Sequence, residues 1–232
     1  MLNYLRRLIY SRSNSSFIKH LKKKGIKIGE GCQFFGRLFI DFDFTRPSLI
    51  EIGNNVVFTK GVTLLTHGYD WCVLRELYGK SLGNAKAIKI GNNVFLGQYV
   101  KILPGVTIGD NCIIGVGSIV TKNLSSNGVY VGVPAHLSIS IEDYYKKRID
   151  AQLTEATEYA KSIIERFNRM PIKEDFREFF ELFLERNEKK FGKIPVRLQT
   201  GGKYDDFMKS IPMFNGFDEF LKYILIEKYE KR

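Results

Sequence analysis

The chain has 232 residues, 36 Lys and Arg against 25 Asp and Glu, and a formal net charge of +11. No run of eighteen apolar residues occurs, so no membrane-spanning helix is expected, nor a secretory signal, because the N-terminus lacks a continuous apolar stretch and a small-residue cleavage site. Residues 1–27 contain eight of the cations and no acid, so the charge sits in one arm and argues against a nucleic-acid binder with a basic body.

That arm, residues 1–25, reads as one or two short helices split by SRSNSS, with Leu2, Leu5, Leu8 and Ile9 and then Phe17, Ile18 and Leu21 at helical spacing. A cap over the end of the following domain is favoured; a weak contact with an anionic membrane surface is the rival reading. From residue 26 a six-residue period takes over. Ile28, Phe34, Ile40, Ile52, Phe58 and Leu64 lie on one grid with Arg46 the misfit, and Cys32, Leu38, Phe44, Ile50, Val56 and Val62 fill the companion positions.

The grid breaks between Leu64 and Ile90, where an insertion is expected at 67–88, and resumes without a slip through Leu96, Ile102, Ile108, Ile114 and Val120. A period of six suits neither one strand nor a helix. It suits short strands separated by tight corners, three to a coil, stacked as parallel sheet. The repeat decays after Lys122, with one last coil edge at 129–135. Beyond it, helices are expected over 141–167, about 173–190 and about 216–229; Ser140 with Asp143 opens the first. The domains expected are therefore a basic helical cap (1–25), a repeat domain (26–138) and a helical region (139–232). Cys32, Cys72 and Cys112 show no CxxC spacing, which suits reduced thiols in a cytoplasm. Gly201-Gly202-Lys203 reads as a turn rather than a phosphate loop.

The run IGNNVFLGQYVKILPGVTIGDNCIIGVGSIVTK, residues 90–122, resembles the hexapeptide-repeat acyltransferases, and HGYDW followed by a long loop resembles the polysaccharide-type O-acetyltransferases among them. The resemblance implies a mainly β fold, a left-handed parallel β-helix, and acetyl transfer from acetyl-CoA to a sugar or glycan hydroxyl in surface-glycan assembly, by a homotrimer. His67, where the chain leaves the repeat, is the candidate general base, because an imidazole can take up and release a proton near neutral pH. Candidates to orient it are Asp41, Asp43 and Asp70, of which Asp41 matches the family position best. The resemblance lays the cofactor along Phe95, Gly97, Gln98, Gly115 and Val116, with Thr121 and Lys122 at its phosphates and Pro134 near the adenine. Phe95 stands where many members have Trp, and His136 where they have Arg or Lys. The turn at Gly97-Gln98 is the candidate oxyanion donor. Tyr69, Trp71 and Tyr78 are candidates to stack on a sugar.

Three other readings are weighed against this one. N-acetylation of a nucleotide-linked amino sugar would use the same base and cofactor. A non-catalytic β-helix binding module would show no CoA affinity. A zinc enzyme on the same scaffold needs three His ligands, whereas His20, His67 and His136 show no ligand spacing, so no metal is expected.

Overall fold

Strands of two or three residues dominate the first half of the computed structural model, which describes residues 12–230. The expectation for Leu2 to Ile9 lies outside the described residues. Helix α1 (Asn14–Lys24) opens on Ser13, whose hydroxyl accepts from Ser16 N–H, and ends at Gly25 in the left-handed region, burying Phe17 and Leu21.

Twelve short strands follow: β1 (Lys27–Ile28), β2 (Gln33–Phe34), β3 (Asp41–Phe42), β4 (Ile50–Ile52), β5 (Val57–Phe58), β6 (Thr63–Leu64), β7 (Ile88–Ile90), β8 (Val94–Leu96), β9 (Lys101–Ile102), β10 (Thr107–Ile108), β11 (Cys112–Ile114) and β12 (Ile119–Val120). They take turns among three parallel sheets. The first sheet has the order β1-β4-β7-β10, the third β12-β9-β6-β3, and the second runs through β2, β5, β8 and β11 to β13 (Gly128–Val131) and β14 (His136–Ser140). The last pair, β13 with β14, is antiparallel, a closing hairpin where the sequence predicts a single coil edge.

The register explains the six-residue period. Ile52 faces Ile90, Leu96 faces Ile114 and Leu64 faces Ile102, so equivalent positions pair across each sheet. Their side chains, with the companions Val94, Val100, Val106 and Cys112, are buried in one core, and the companion Ser118 is buried as well. Burying an aliphatic side chain is worth about 1.5–3 kcal/mol, so a column of them outweighs the weak stability of any two-residue strand.

Between the first and second sheets, Asn55, Asn93, Asn111 and Asn127 stand at the corners with φ of 54°, 54°, 56° and 65°. Asn tolerates this left-handed conformation better than most residues. Their amides form a ladder: Asn55 donates to Asn93 (3.3 Å), Asn93 to Asn111 (3.0 Å) and Asn111 to Asn127 (2.8 Å).

Early in the repeat the grid differs from the expectation. The inward residue of β3 is Phe42, which faces Leu64, and Ile40 takes the companion position. A 3₁₀ turn at Arg37–Phe39 adds two residues before β3, and a second at Pro47–Leu49 lies in the extended corner before β4. Phe44, expected at an inner companion position, is exposed.

The chain forms two compact units, Met1–Tyr145 and Lys146–Arg232. In the second, α3 (Ile141–Phe167) continues from the boundary, α4 (Val196–Thr200) and α5 (Tyr204–Lys209) are short, and α6 (Phe217–Glu230) closes the described chain. Ser140 caps α3 as expected, accepting from Asp143 N–H at 3.0 Å and donating to its carboxylate at 2.7 Å. The helix expected over 173–190 is instead three 3₁₀ turns (Lys173–Phe176, Phe180–Leu182, Glu188–Lys190). Leu182, Phe183 and Leu184 are all buried, and three consecutive side chains cannot share one face of a helix. No helix among the described residues is long and apolar enough to cross a membrane.

The corner ladder sets an expected outcome. Asn93→Ala should lower the unfolding free energy by about 1–3 kcal/mol in urea titration, through the left-handed backbone and the lost amide pairs. Asn93→Gly restores the backbone freedom and should cost less; an equal or larger cost for Gly would contradict the role given to φ.

Candidate active site

The third sheet positions the site. Asp43 lies one residue beyond β3, and its N–H donates to Leu64 O at 3.2 Å, so strand pairing holds it beside the chain leaving β6. Two and three residues beyond Leu64 come Thr66 and His67. The Asp43 carboxylate is buried and saturated. Its Oδ1 accepts from Thr45 N–H at 3.0 Å and from the Thr45 hydroxyl at 2.5 Å. Its Oδ2 accepts from Thr66 N–H at 3.3 Å and from the Thr66 hydroxyl, and meets His67 Nδ1.

Burial alone would push the Asp43 pKa up. The hydrogen bonds from Thr45, Thr66 and His67 outweigh it and hold the group well below the ordinary 3.8. An ionised carboxylate only accepts hydrogen bonds, so the ring nitrogen facing it carries the proton. Nε2 is then the basic nitrogen of neutral His67. The imidazole is 12% exposed, enough to reach an open cleft while its other edge stays held.

Loop closure comes from a second set of polar contacts. Asn84 Oδ1 accepts from Gly68 N–H at 2.7 Å, Asn84 Nδ2 donates to Asp70 at 2.9 Å, and Lys86 N–H donates to Thr66 O at 2.9 Å. These tie the two ends of the 67–88 insertion together. Within it lies a helix the sequence reading did not foresee, α2 (Trp71–Tyr78), ending at Gly79 with φ 67°. Its eight residues are too short for the hydrophobic period to stand out.

A cleft of about 410 Å³ opens here, lined by Thr45, Arg46, His67, Tyr69, Trp71 and Asn84 with the loop glycines Gly68 and Gly83. The Tyr69 ring stands edge-on to the imidazole at 5.1 Å, and Trp71 is 6.1 Å beyond it.

The predicted residues fall into separate groups. The carboxylate beside His67 belongs to Asp43, where the family position had favoured Asp41. Asp41 is exposed on β3 and faces Thr63; alternation along the strand turns it away from the core. Asp70 supports Asn84 rather than the imidazole. Tyr78 is exposed outside the cleft lining. Phe95, Gln98 and Val116 are exposed on β8 or at the corners after β8 and β11. Gly97 and Gly115 are stacked so closely that a Cβ on Gly97 would come within 2.7 Å of Val116 N. Gly97 N–H donates to Ile114 O at 2.8 Å, so in the Gly97-Gln98 turn expected to supply the oxyanion donor the Gly97 amide is committed to the sheet. These corners precede β9 and β12, whereas His67 follows β6. Because third-sheet strands are parallel, the two groups lie at opposite strand ends within one chain. Thr121 and Lys122 follow β12 and share the His67 end; Pro134 is exposed between β13 and β14, and His136 is exposed at the start of β14. Thr45, Thr66 and Arg46 were missed. Thr66 gave only its adjacency to His67, and Arg46 showed only as the residue off the grid. Among the described residues no group of three or more His, Cys, Asp or Glu side chains is arranged to hold a metal.

Three short-strand sheets with hexad spacing define a hexad-repeat β fold, with a His–Asp pair at one corner. Residues 87–122 match the bacterial transferase hexapeptide family, six repeats. The galactoside O-acetyltransferase of Escherichia coli K12 is 42% identical over 129 residues, 53% of this chain and 61% of that protein. Protein CapG of Staphylococcus aureus is 36% identical over 143 residues, 62% of this chain and 79% of its own length. A galactoside O-acetyltransferase of Lactococcus lactis is 34% identical over 147 residues, 56% of this chain and 70% of that protein. The chain belongs to the hexapeptide-repeat acyltransferase family.

The Asp43 carboxylate gives a pH test. Its folded pKa lies below the unfolded value near 3.8, so its stabilisation is complete above that value and is lost as pH falls below it. The gap in unfolding free energy between wild type and Asp43→Asn should narrow as pH falls below about 4. A gap unchanged down to pH 3 would contradict this reading.

Proposed function

We propose that the protein is an acetyl-CoA-dependent O-acetyltransferase acting on a sugar hydroxyl in the assembly of a surface polysaccharide. The observation that carries this is the His67–Asp43 pair opening onto a cleft walled by Tyr69 and Trp71. Relatives named galactoside O-acetyltransferases support the sugar hydroxyl.

In the proposed reaction, His67 Nε2 accepts the proton of the acceptor hydroxyl as that oxygen attacks the thioester carbonyl. The C–S bond breaks, and the imidazolium returns the proton to the departing thiolate, leaving sugar ester and free CoA. Asp43 holds the Nδ1–H tautomer and stabilises the imidazolium. Phe95, Gly97, Gln98, Gly115 and Val116 are proposed for the pantetheine arm, supported by the exposed apolar side chains of Phe95 and Val116. Thr121, Lys122 and Pro134 are proposed for the nucleotide end, with Lys122 as a point charge for diphosphate.

In the same reading the three sheets are the faces of a left-handed parallel β-helix. The rotation of strands among the sheets supports the helix, and the family resemblance supplies the hand. Separation of His67 from the proposed pantetheine strip within one chain supports a homotrimer whose sites lie between neighbours. The cytoplasmic setting is supported by the free thiols Cys32, Cys72 and Cys112.

The experiment is CoA release and acetyl-sugar formation with purified protein. His67→Ala and Asp43→Asn should each lower kcat by about 10²–10⁴-fold, while Asp41→Asn turns over like wild type. Equal rates for wild type and His67→Ala would end the catalytic assignment, and turnover confined to amino sugars would redirect it to N-acetylation.

A further inference from the structure

Resting on the sugar-acetylation reading, the geometry points to Arg46 as an acceptor-selecting residue: the acceptor carries an anionic group, a carboxylate or a phosphate, that pairs with the Arg46 guanidinium while its hydroxyl faces His67. The argument starts from the cleft's charge. Among the described residues lining it, Arg46 is the one fixed charge; the rest are Thr, His, Gly, aromatic or Asn side chains, with no acid. The nearest carboxylate in the network, Asp43, is buried behind His67, and its oxygens are occupied by Thr45, Thr66 and the imidazole.

Arg46 is half-buried in a corner that the repeat does not require, since it stands in the extended turn before β4. Its guanidinium meets the Thr45 hydroxyl at 3.3 Å, and among the described residues it has no carboxylate partner. A half-buried guanidinium with most of its five donors uncommitted is a strong binder of paired anionic oxygens, which it can grip in a bidentate fork. A neutral sugar offers hydroxyls that a carboxylate would serve better, and the cleft lining holds none.

The same contact links Arg46 through Thr45 to Asp43, so the test separates selection of the acceptor from positioning of the carboxylate. Binding of galactose, galacturonate and galactose 1-phosphate is measured calorimetrically without acetyl-CoA, and acetyl transfer to the same three sugars is measured with it. Wild type, Arg46→Gln and Arg46→Lys are compared, each checked for an unchanged thermal midpoint. One or both anionic sugars should bind about 10–100-fold more tightly than galactose, the scale of a charge-assisted hydrogen-bonded pair. The comparison of the two shows whether carboxylate or phosphate is the natural group. Arg46→Gln should collapse that ratio through KM, and Arg46→Lys should keep part of it.

Equal binding of all three sugars by wild type overturns the inference, as does a loss in Arg46→Gln that is the same for every acceptor and confined to kcat. Transfer without anionic preference would leave the acetylation reading standing and remove this one. Anionic preference in binding without transfer to any sugar would do the reverse.

Discussion

A strand of two residues has almost no stability of its own, and this repeat is built from little else. What holds it is the vertical match of inward side chains, Leu64 under Ile102 and Leu96 under Ile114, at equal heights in neighbouring strands. Each strand is held by its place in the stack, so the register is strict: a slip of one residue would turn every aliphatic side chain outward. Corners are constrained just as tightly. Asn side chains fill the left-handed positions and pair with their neighbours above and below, so the turns are stacked as firmly as the strands.

That rigidity is what the site uses. Asp43 and Thr66 come from corners after two paired strands, and the backbone bond between Asp43 and Leu64 fixes their spacing before any side chain is considered. Burying a carboxylate would ordinarily favour its neutral form. Here three side chains and two backbone amides donate to it, and the charge stays. The result is an imidazole held on one edge by a buried carboxylate, which would need little reorganisation for the proton transfer proposed for it. The 67–88 insertion supplies the outer wall, and the Gly68–Asn84–Asp70 contacts let it leave and rejoin the stack without disturbing the register.

Much of this was readable from the chain. After Ile90 the hexad runs unbroken, and each residue it nominated for the interior is buried. His67 drew attention because it stood where the period failed. The early repeat was harder, for a numerical reason. Phe34 to Phe42 is eight residues and Phe42 to Ile52 is ten, so two long segments together equal three hexads and the grid returns to phase unnoticed. The early hexad placed the inward residue at Ile40 instead of Phe42; separately, the family position favoured Asp41, whereas Asp43 meets His67. The region 173–190 failed differently: its apolar residues follow one another too closely to share a helix face, and they are buried by contacts with Phe207, Phe217 and Phe220 far along the chain.

The sequence by itself determined the period, the apolar column, the special corner residues and the place where the repeat is interrupted, because each is a local pattern of side-chain size and backbone freedom. Only the tertiary structure decided which aspartate meets His67, that Gly97 spends its amide on the sheet, and that Arg46 stands alone in the cleft. Those outcomes depend on which strand lies beside which and at what height, a relation between residues some twenty positions apart that no local pattern encodes.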